Sequence, residues 1–284
     1  MSGITDDQFQ AAADRLPSTP RVFSRLGAAL HDPNIDVDDI SEILKLDAAL
    51  SARLLRLSNS PSFMGDEPAT DITEAIQRVG FREVFRLVGL AMSSQLYVHG
   101  LPIYGMPGTE LCENSIAVAL ALERLAPLAG EADERGAYTA GLLRPIGRLL
   151  IQRLAATAAC APLAARKESA DLVLLWEAEM FGLNSVDAAV RLFKLWGLAP
   201  NLTATLRYQF KPWDDPEKSK LSALVYLSSS IAHSIDKGLG IEQQAWKRVP
   251  EALEQAGLEQ SALDDCAVLT SEAVAELSKI VVAA

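Results

Sequence analysis

The sequence is poor in the residues that disulfide frameworks and metal sites require. Its 284 residues include only three cysteines and three histidines. Cys112, Cys160 and Cys266 lie far apart and form no Cys-x-x-Cys pair, so we expect neither a disulfide framework nor a cysteine-based zinc site. An odd number of isolated cysteines is typical of a reducing compartment. We therefore predict a cytoplasmic location.

Aromatic residues and long apolar runs are also scarce. Aromatics make up 6% of the chain, and much of its 49% hydrophobic content is alanine and leucine, which favour helices. The longest apolar runs, such as residues 172–176, are too short to cross a bilayer. The first residues lack the basic start and apolar core of a signal peptide. We expect no membrane association.

The charge balance is acidic. The chain has 26 Lys and Arg residues against 37 Asp and Glu residues, a formal net charge of −11. A negative surface repels phosphate backbones, so the sequence disfavours non-specific binding to nucleic acid.

The hydrophobic pattern is helical throughout, and no segment alternates polar and apolar residues as a half-buried strand does. Asp71 followed by Glu74 predicts a helix start, and Gly80 predicts its end. Proline- and glycine-rich segments at residues 58–69 and 100–108 interrupt the pattern. The sequence thus predicts an all-α fold.

Short strings distributed along the chain resemble, in consistent order, those of the HDOD domain family, a bacterial signalling family related to HD-type phosphohydrolases. The matching strings are LPSTPRV (16–22), HDPN (31–34), DAALSARLLRLSNS (47–60), ITEAIQRVG (72–80), SIAVA (115–119), AGLLRPIGRL (140–149), FGLNS (181–185) and WGL (196–198).

The resemblance implies a domain organisation. An HDOD domain would span residues 12–212, with an N-terminal helical subdomain at 12–100 and an HD-like helical core at 108–212. Residues 213–284 would form a C-terminal helical extension, which resembles no family. The expected fold is an all-α, HD-domain-like helical bundle with additional C-terminal helices.

The resemblance also locates a degenerate metal site. Catalytic HD proteins bind a divalent metal through histidines and carboxylates and carry a His-Asp pair in a string like LLHDIGKL, where this chain has LLRPIGRL at residues 142–149. Arginine has no lone pair to donate, and proline has no side-chain ligand. We call the positions that match the family's metal ligands the relict positions: Asn114, Arg144, Pro145, Ser185, Gln209 and Phe210.

The three histidines do not replace the missing ligands. His31 precedes Asp32 but lies over a hundred residues from the matching string, so we interpret it as part of a helix-ending turn. His99 precedes a glycine at a predicted helix end, and His233 lies in an amphipathic helix. We therefore expect no catalytic residue, no metal and no cofactor.

Arg144 has two interpretations. Its guanidinium could occupy the relict pocket, take the electrostatic role of the missing cation and pair with a carboxylate or a bound phosphate. Alternatively, it is a surface substitution on a helix that Pro145 kinks. Of the two, we favour the surface substitution.

A set of arginines gives a second candidate contact surface, either a docking strip for an acidic partner or a nucleotide phosphate, or a solvated helix face. We favour the solvated face. The set is Arg53, Arg56, Arg78, Arg82 and Arg86.

The function that the resemblance implies is that of a non-catalytic bacterial signal-transduction module, a pseudoenzyme acting by protein–protein interaction. Because the chain carries no other signalling domain, its partners would be signalling proteins bound in trans, through helix faces and the segments 58–69 and 100–108. The alternatives are a metal-dependent phosphohydrolase or phosphodiesterase acting on a nucleotide or cyclic dinucleotide, and a pseudoenzyme that binds a nucleotide in the relict pocket.

Overall fold

All regular structure in the described part of the chain is helical, which confirms the all-α prediction. The computed structural model describes residues 4–16, 26–27, 29, 34–45, 48–60, 63, 65, 67–131, 134–156 and 170–282. Numbered over these residues, the α-helices are α1 (Asp6–Asp14), α2 (Val37–Lys45), α3 (Ala48–Ser58), α4 (Ile72–Val79), α5 (Phe81–Tyr97), α6 (Gly108–Leu128), α7 (Glu134–Leu143), α8 (Ile146–Ala155), α9 (Ala170–Phe181), α10 (Ser185–Leu195), α11 (Pro200–Arg207), α12 (Lys220–Ser234), α13 (Val249–Ala256) and α14 (Gln260–Val282). Short 3₁₀ turns occupy Pro102–Tyr104, Pro212–Asp214 and Gly240–Glu242.

The chain divides into two compact units. Residues 17–95 form one, which we call the N-terminal unit, and residues 1–16 together with 96–282 form the other, which we call the core unit. Helices α12 to α14 belong to the core unit. The predicted HDOD boundaries at 12–212, with subdomains 12–100 and 108–212 and an extension at 213–284, stay a prediction.

In the N-terminal unit, the predicted helix ends are confirmed. The Asp71 carboxylate accepts a hydrogen bond from the backbone N–H of Glu74 at 2.8 Å, which caps α4. Gly80 ends α4 with φ of +84°, a conformation that side chains disfavour. The Asn59 side chain bonds both backbone groups of Ala69, at 2.7 and 3.0 Å, and so joins the two ends of the 58–69 segment.

In the core unit, α6 is the central helix. Residues 114–123 are buried without interruption, because α7, α12 and α14 all pack against α6. Gly141 lets α7 lie close against α6, since a Cβ atom there would lie 2.5 Å from the Cα of Ala119. The helix that contributes Asn114 is therefore held on several sides.

The junction of α7 and α8 carries the sequence string with the two substituted metal ligands. The sequence predicts a single helix here that Pro145 kinks, but α7 ends at Leu143 and α8 begins at Ile146. Pro145 has no N–H to continue a helical ladder, and it precedes the first residue of α8. The break places Arg144 at the junction between the two helices.

Candidate functional site

Arg144 lies in the interior of the core unit. Its side chain is 1% exposed, and one terminal nitrogen lies 3.0 and 2.9 Å from the two carboxylate oxygens of Glu242. The other terminal nitrogen donates a hydrogen bond to the Asn114 side-chain oxygen at 2.7 Å. The favoured interpretation of Arg144 as a surface substitution is therefore wrong: the guanidinium is buried beside Asn114 and pairs with a carboxylate.

Glu242 binds a second arginine. The guanidinium of Arg148, one turn into α8, also donates to the Glu242 carboxylate, and both side chains are buried. A second buried carboxylate, that of Glu177, accepts hydrogen bonds from the Ser185 backbone N–H at 2.5 Å and from the Tyr104 hydroxyl at 2.8 Å.

We call Arg144, Arg148, Glu177 and Glu242 the buried ion cluster. Glu242 pairs with both arginines, whereas the hydrogen bonds of Glu177 come from the neutral groups of Ser185 and Tyr104. Buried charges are tolerated when they are paired, and Glu242 supplies that pairing to both guanidinium groups.

The pKa values of the two carboxylates in the cluster depart from the ordinary value in opposite directions. Burial acts to raise the pKa of Glu242, but the charges of Arg144 and Arg148 outweigh it and hold this pKa below its ordinary value. Burial raises the pKa of Glu177, and the charge of Arg148 and two hydrogen bonds offset only part of that effect. Glu242 is thus the firmly ionised counter-ion of the arginine pair.

Aromatic rings cover the cluster on the side of the later helices. The Trp246 ring centroid lies 5.8 Å from the guanidinium carbon of Arg144, and Phe210 lies at the same distance from that of Arg148. Phe210 and Trp246 stack on each other with centroids 5.7 Å apart. These rings limit access of water to the arginine pair.

The six relict positions do not all meet. Asn114 and Arg144 touch directly, and the Ser185 backbone and the Phe210 ring reach the cluster through Glu177 and Arg148 respectively. Gln209 instead donates to the backbone carbonyl of Leu206 at 2.9 Å. Pro145 precedes α8 and contributes no polar group.

The residues present do not fit a divalent metal. The relict positions offer no imidazole and no carboxylate, and the amide oxygen of Asn114 already accepts from Arg144. The oxygens of Glu177 and Glu242 lie against hydrogen-bond donors or guanidinium groups. Across the part of the chain that the structure describes, no three His, Cys, Asp or Glu side chains form a group that could hold an ion.

Sequence reasoning missed the most important members of the cluster. Arg148 lies in the LLRPIGRL string but received no role, and Glu177 is a lone acid on the buried side of α9, which was a usable signal. Glu242 and Trp246 follow residue 212 and carry no recognisable motif. Only their positions in space reveal them.

The arginines of the predicted strip lie in the N-terminal unit, and one of them, Arg53, lines a small apolar pocket with Leu50 and Leu54. The set is Arg53, Arg56, Arg78, Arg82 and Arg86. Arg78 pairs with Glu74 at 2.8 Å, and Arg86 pairs with Glu83 at 2.5 Å. Arg56 and Arg82 are exposed. The Arg78 and Arg86 side chains are only 16% and 21% exposed, so the set does not form a uniformly solvated face. A docking role stays a prediction.

The remaining histidines and cysteines lie apart. His99 and His233 are both exposed, Cys112 is half-buried and Cys266 is buried, and neither of these cysteines forms a disulfide bond. His31 and Cys160 lie outside the described residues, and so does Asp47, the first residue of the DAALSARLLRLSNS string.

An all-α bundle whose relict positions carry neither imidazole nor carboxylate defines a class, that of HD-like helical proteins without the usual metal ligands. The family model described as HDOD domain matches residues 16–212. The chain belongs to the HDOD domain family, which confirms the resemblance drawn from the sequence strings.

Solved structures share the fold over nearly the whole chain. An HDOD domain protein of unknown function from Geobacter sulfurreducens is 21% identical with a TM-score of 0.67, and 95% of this chain and 96% of that one are covered. A candidate phosphohydrolase from Shewanella amazonensis SB2B is 24% identical with a TM-score of 0.65, covering 94% and 96%. A candidate signal transduction protein from Marinobacter aquaeolei VT8 is 20% identical with a TM-score of 0.71, covering 96% of this chain and 65% of that one.

A curated relative matches a shorter segment. A protein of Treponema pallidum (strain Nichols) described only as uncharacterized is 35% identical over 79 residues, which is 27% of this chain. The match spans 15% of the length of that protein. Separately, among the described residues no helix is both long and apolar enough to cross a bilayer. The cytoplasmic location and the lack of nucleic-acid binding stay predictions.

Proposed function

We propose that the protein is a non-catalytic signal-transduction module that acts by binding other proteins. The observation that supports this proposal is the buried pairing of Arg144 and Arg148 with Glu242 at the relict positions. Hydrolysis of a phosphoester on an HD scaffold requires a metal, ligands that converge on it and a position for water. In this chain Arg144 stands at the sequence position that matches the family's metal-binding histidine.

Arginine is chemically unsuited to the roles that hydrolysis requires. A guanidinium stays protonated at physiological pH, so it can act neither as a metal ligand nor as a general base. Both arginines are engaged by Glu242, and Phe210 and Trp246 cover them. A fold without metal-dependent chemistry can still act by binding other proteins at its surface.

The binding part of the proposal rests on family membership and on the chain's composition. The Marinobacter neighbour carries a signal-transduction description, but at 20% identity it supports the fold alone. The partners would be signalling proteins, and no cofactor would be needed.

Metal content and turnover test the non-catalytic part. The full chain is expressed in medium supplemented with manganese and iron, its metal content is measured by mass spectrometry, and hydrolysis of bis-p-nitrophenyl phosphate, of AMP and of a cyclic dinucleotide is assayed with each metal added. A catalytic HD phosphohydrolase assayed in parallel is the positive control. We expect substoichiometric metal and no turnover above background. Stoichiometric manganese or iron together with turnover would contradict the proposal.

A further inference from the structure

A cavity of about 410 Å³ opens in the core unit beside the buried ion cluster. Phe210, which covers Arg148, also lines this cavity. We call this cavity the basic groove. Its other lining residues are Ala170, Asp171, Lys211, Trp213, Asp214, Gln244, Ala245, Lys247 and Arg248.

The lining of the basic groove carries one more cation than acid, although the whole chain is strongly negative. Lys211, Lys247 and Arg248 are exposed, and they outnumber two exposed acids, Asp171 and Asp214. The local charge is therefore suited to an acidic ligand.

Two of the three cations have carboxylate partners within the chain. Lys211 pairs with Asp171 at 3.0 Å, and Arg248 pairs with Glu251 at 2.9 Å. Lys247 donates only to the neutral side chain of Gln244, at 3.1 Å, and among the described residues no carboxylate lies within ion-pair distance of it. A carboxylate from outside the chain could pair with it without displacing an internal partner.

The floor of the basic groove is apolar and aromatic. Phe210 is buried, Trp213 is half-buried, and two alanines complete the floor. An aromatic floor with an arginine at its edge is the composition that protein interfaces favour for their central contacts.

The aromatic faces that a nucleotide base would need are already engaged. The Arg248 guanidinium lies 4.0 Å from the centroid of the Trp213 ring, and Tyr226 packs edge-on against that ring at 5.4 Å. Phe210 stacks on Trp246. An apolar side chain can still pack against the ring edges, which favours a polypeptide over a stacked base.

We propose that the basic groove binds an acidic segment of a partner protein. An aromatic or aliphatic side chain of the segment would pack against Trp213, and its carboxylates would pair with Lys247 and Lys211. This inference rests on the proposed protein-binding function and names the surface and the chemistry of the partner.

The chain offers a matched control surface. A second cavity of about 370 Å³ in the core unit is also lined by two cations, Lys194 and Arg207, next to apolar residues. Arg207 is 44% exposed and lies 3.7 Å from the carboxylate of Asp187, much as Lys211, 49% exposed, lies beside Asp171. The double variants Lys211→Glu/Lys247→Glu and Lys194→Glu/Arg207→Glu therefore make the same change of charge.

The test selects ligands without presupposing their sequence. A phage-displayed library of random peptides is selected against the full chain, and enriched peptides are labelled and titrated by fluorescence anisotropy. We expect peptides in which two or more acidic residues flank an aromatic or aliphatic residue. Charge reversal at the basic groove should weaken their binding about tenfold or more, because reversed rim charges repel an acidic ligand, whereas the control variant should bind like the wild type. Circular dichroism confirms that both variants fold.

Three outcomes would overturn the proposal: no enrichment of acidic peptides, equal binding to the groove variant and the wild type, or displacement of the peptide by AMP or inorganic phosphate at the groove. These results leave the proposed non-catalytic function standing, because metal content and turnover test that function separately. Conversely, metal-dependent turnover would remove the proposed function whatever the peptides do.

Discussion

The guanidinium groups of Arg144 and Arg148 share the carboxylate of Glu242 in the interior of the core unit. Removing charges from water carries a free-energy penalty of several kcal/mol per ion, which only good pairing offsets. Three guanidinium nitrogens of the pair, the Nε atoms of both arginines and one terminal nitrogen of Arg148, have no hydrogen-bond partner among the described residues. The burial of the two arginines therefore depends on their pairing with the Glu242 carboxylate.

We predict that Glu242→Gln lowers the free energy of unfolding by about 3–5 kcal/mol, because it leaves two buried guanidinium groups without their shared counter-ion. Urea denaturation followed by circular dichroism measures the change. Glu251→Gln, which removes the exposed partner of Arg248, is the control and should change stability little. Equal effects of the two substitutions would show that the buried pairing contributes no more than a surface pair.

The pH dependence of stability gives a second prediction for Glu242. Its pKa in the folded chain is lower than in the unfolded chain, so its contribution is present above the unfolded pKa of about 4.3 and is lost as the pH falls through the folded pKa. We therefore expect the stability difference between the wild type and Glu242→Gln to shrink as the pH falls below about 4.3.

A Glu177 variant is the control, because its effect on stability should depend on pH in the opposite direction. Because burial raises the pKa of Glu177, its ionisation disfavours the folded state, and stability is lost as the pH rises through the folded pKa. The stability of Glu177→Gln relative to the wild type should therefore improve with rising pH. Thermal unfolding of both variants from about pH 7 to about pH 3 measures the two trends. Parallel curves for wild type and both variants would contradict these assignments.

The segment between α12 and α13, residues 235–248, attaches the later helices to the relict positions. Asn114 donates from its side-chain amide to the Lys237 carbonyl at 2.7 Å, and the Glu110 side chain accepts from the Gly240 N–H at 3.1 Å. The same segment contributes Glu242 and Trp246. It thus completes the interior of the core unit.

We predict that a chain ending at residue 212, where the family match ends, does not unfold cooperatively. It lacks Glu242 and would leave Arg144 and Arg148 with Glu177 as the nearest buried carboxylate. A chain ending at residue 256 keeps Glu242 and α13 and should unfold cooperatively with reduced stability. Urea titrations of both truncated chains make the comparison. Cooperative unfolding of the 1–212 chain would show that the later helices are dispensable.

The packing of α8 on α10 gives a prediction about close approach. A Cβ atom at Gly147 would collide with the backbone carbonyl oxygen of Ser185. Gly147→Ala should therefore destabilise the fold by about 2 kcal/mol, as overpacking does, despite the higher helix propensity of alanine. Gly240→Ala is the control, since the nearest atom to its Cβ would lie 4.0 Å away. A neutral Gly147→Ala in thermal unfolding would mean that the two helices can separate slightly.

For the whole molecule, the lack of imidazole and carboxylate groups at the relict positions predicts that stability does not depend on a bound metal ion. A metal that binds only the folded state raises the midpoint of unfolding, and a chelator lowers it again. We expect neither manganese nor iron to raise the midpoint above the value with magnesium, and EDTA to leave it unchanged. A rise specific to manganese that EDTA reverses would contradict the assignment of the relict positions.

Several features could be predicted from particular residues. Alanine and leucine content indicated helices, and Asp71 and Gly80 indicated the ends of α4. Pro145 indicated a kink in the LLRPIGRL string, where the structure has a break between α7 and α8. These are local properties, set by capping groups and by the missing N–H of a proline. The expectation that Arg144 and Pro145 bind no metal rests on their side-chain chemistry and stays a prediction.

The role of Arg144 could not be predicted in this way. Sequence alone favoured a surface substitution on a helix that Pro145 kinks, and the LLRPIGRL string contains no carboxylate to neutralise a buried guanidinium. The carboxylate that does so is 98 residues later in the chain, beyond the family match. The sequence by itself determined the helical class and the loss of the metal ligands, which depend on neighbouring residues and on side-chain chemistry. Only the tertiary structure decided that the vacated position holds an ion cluster, because a charge is buried or exposed according to its neighbours in space.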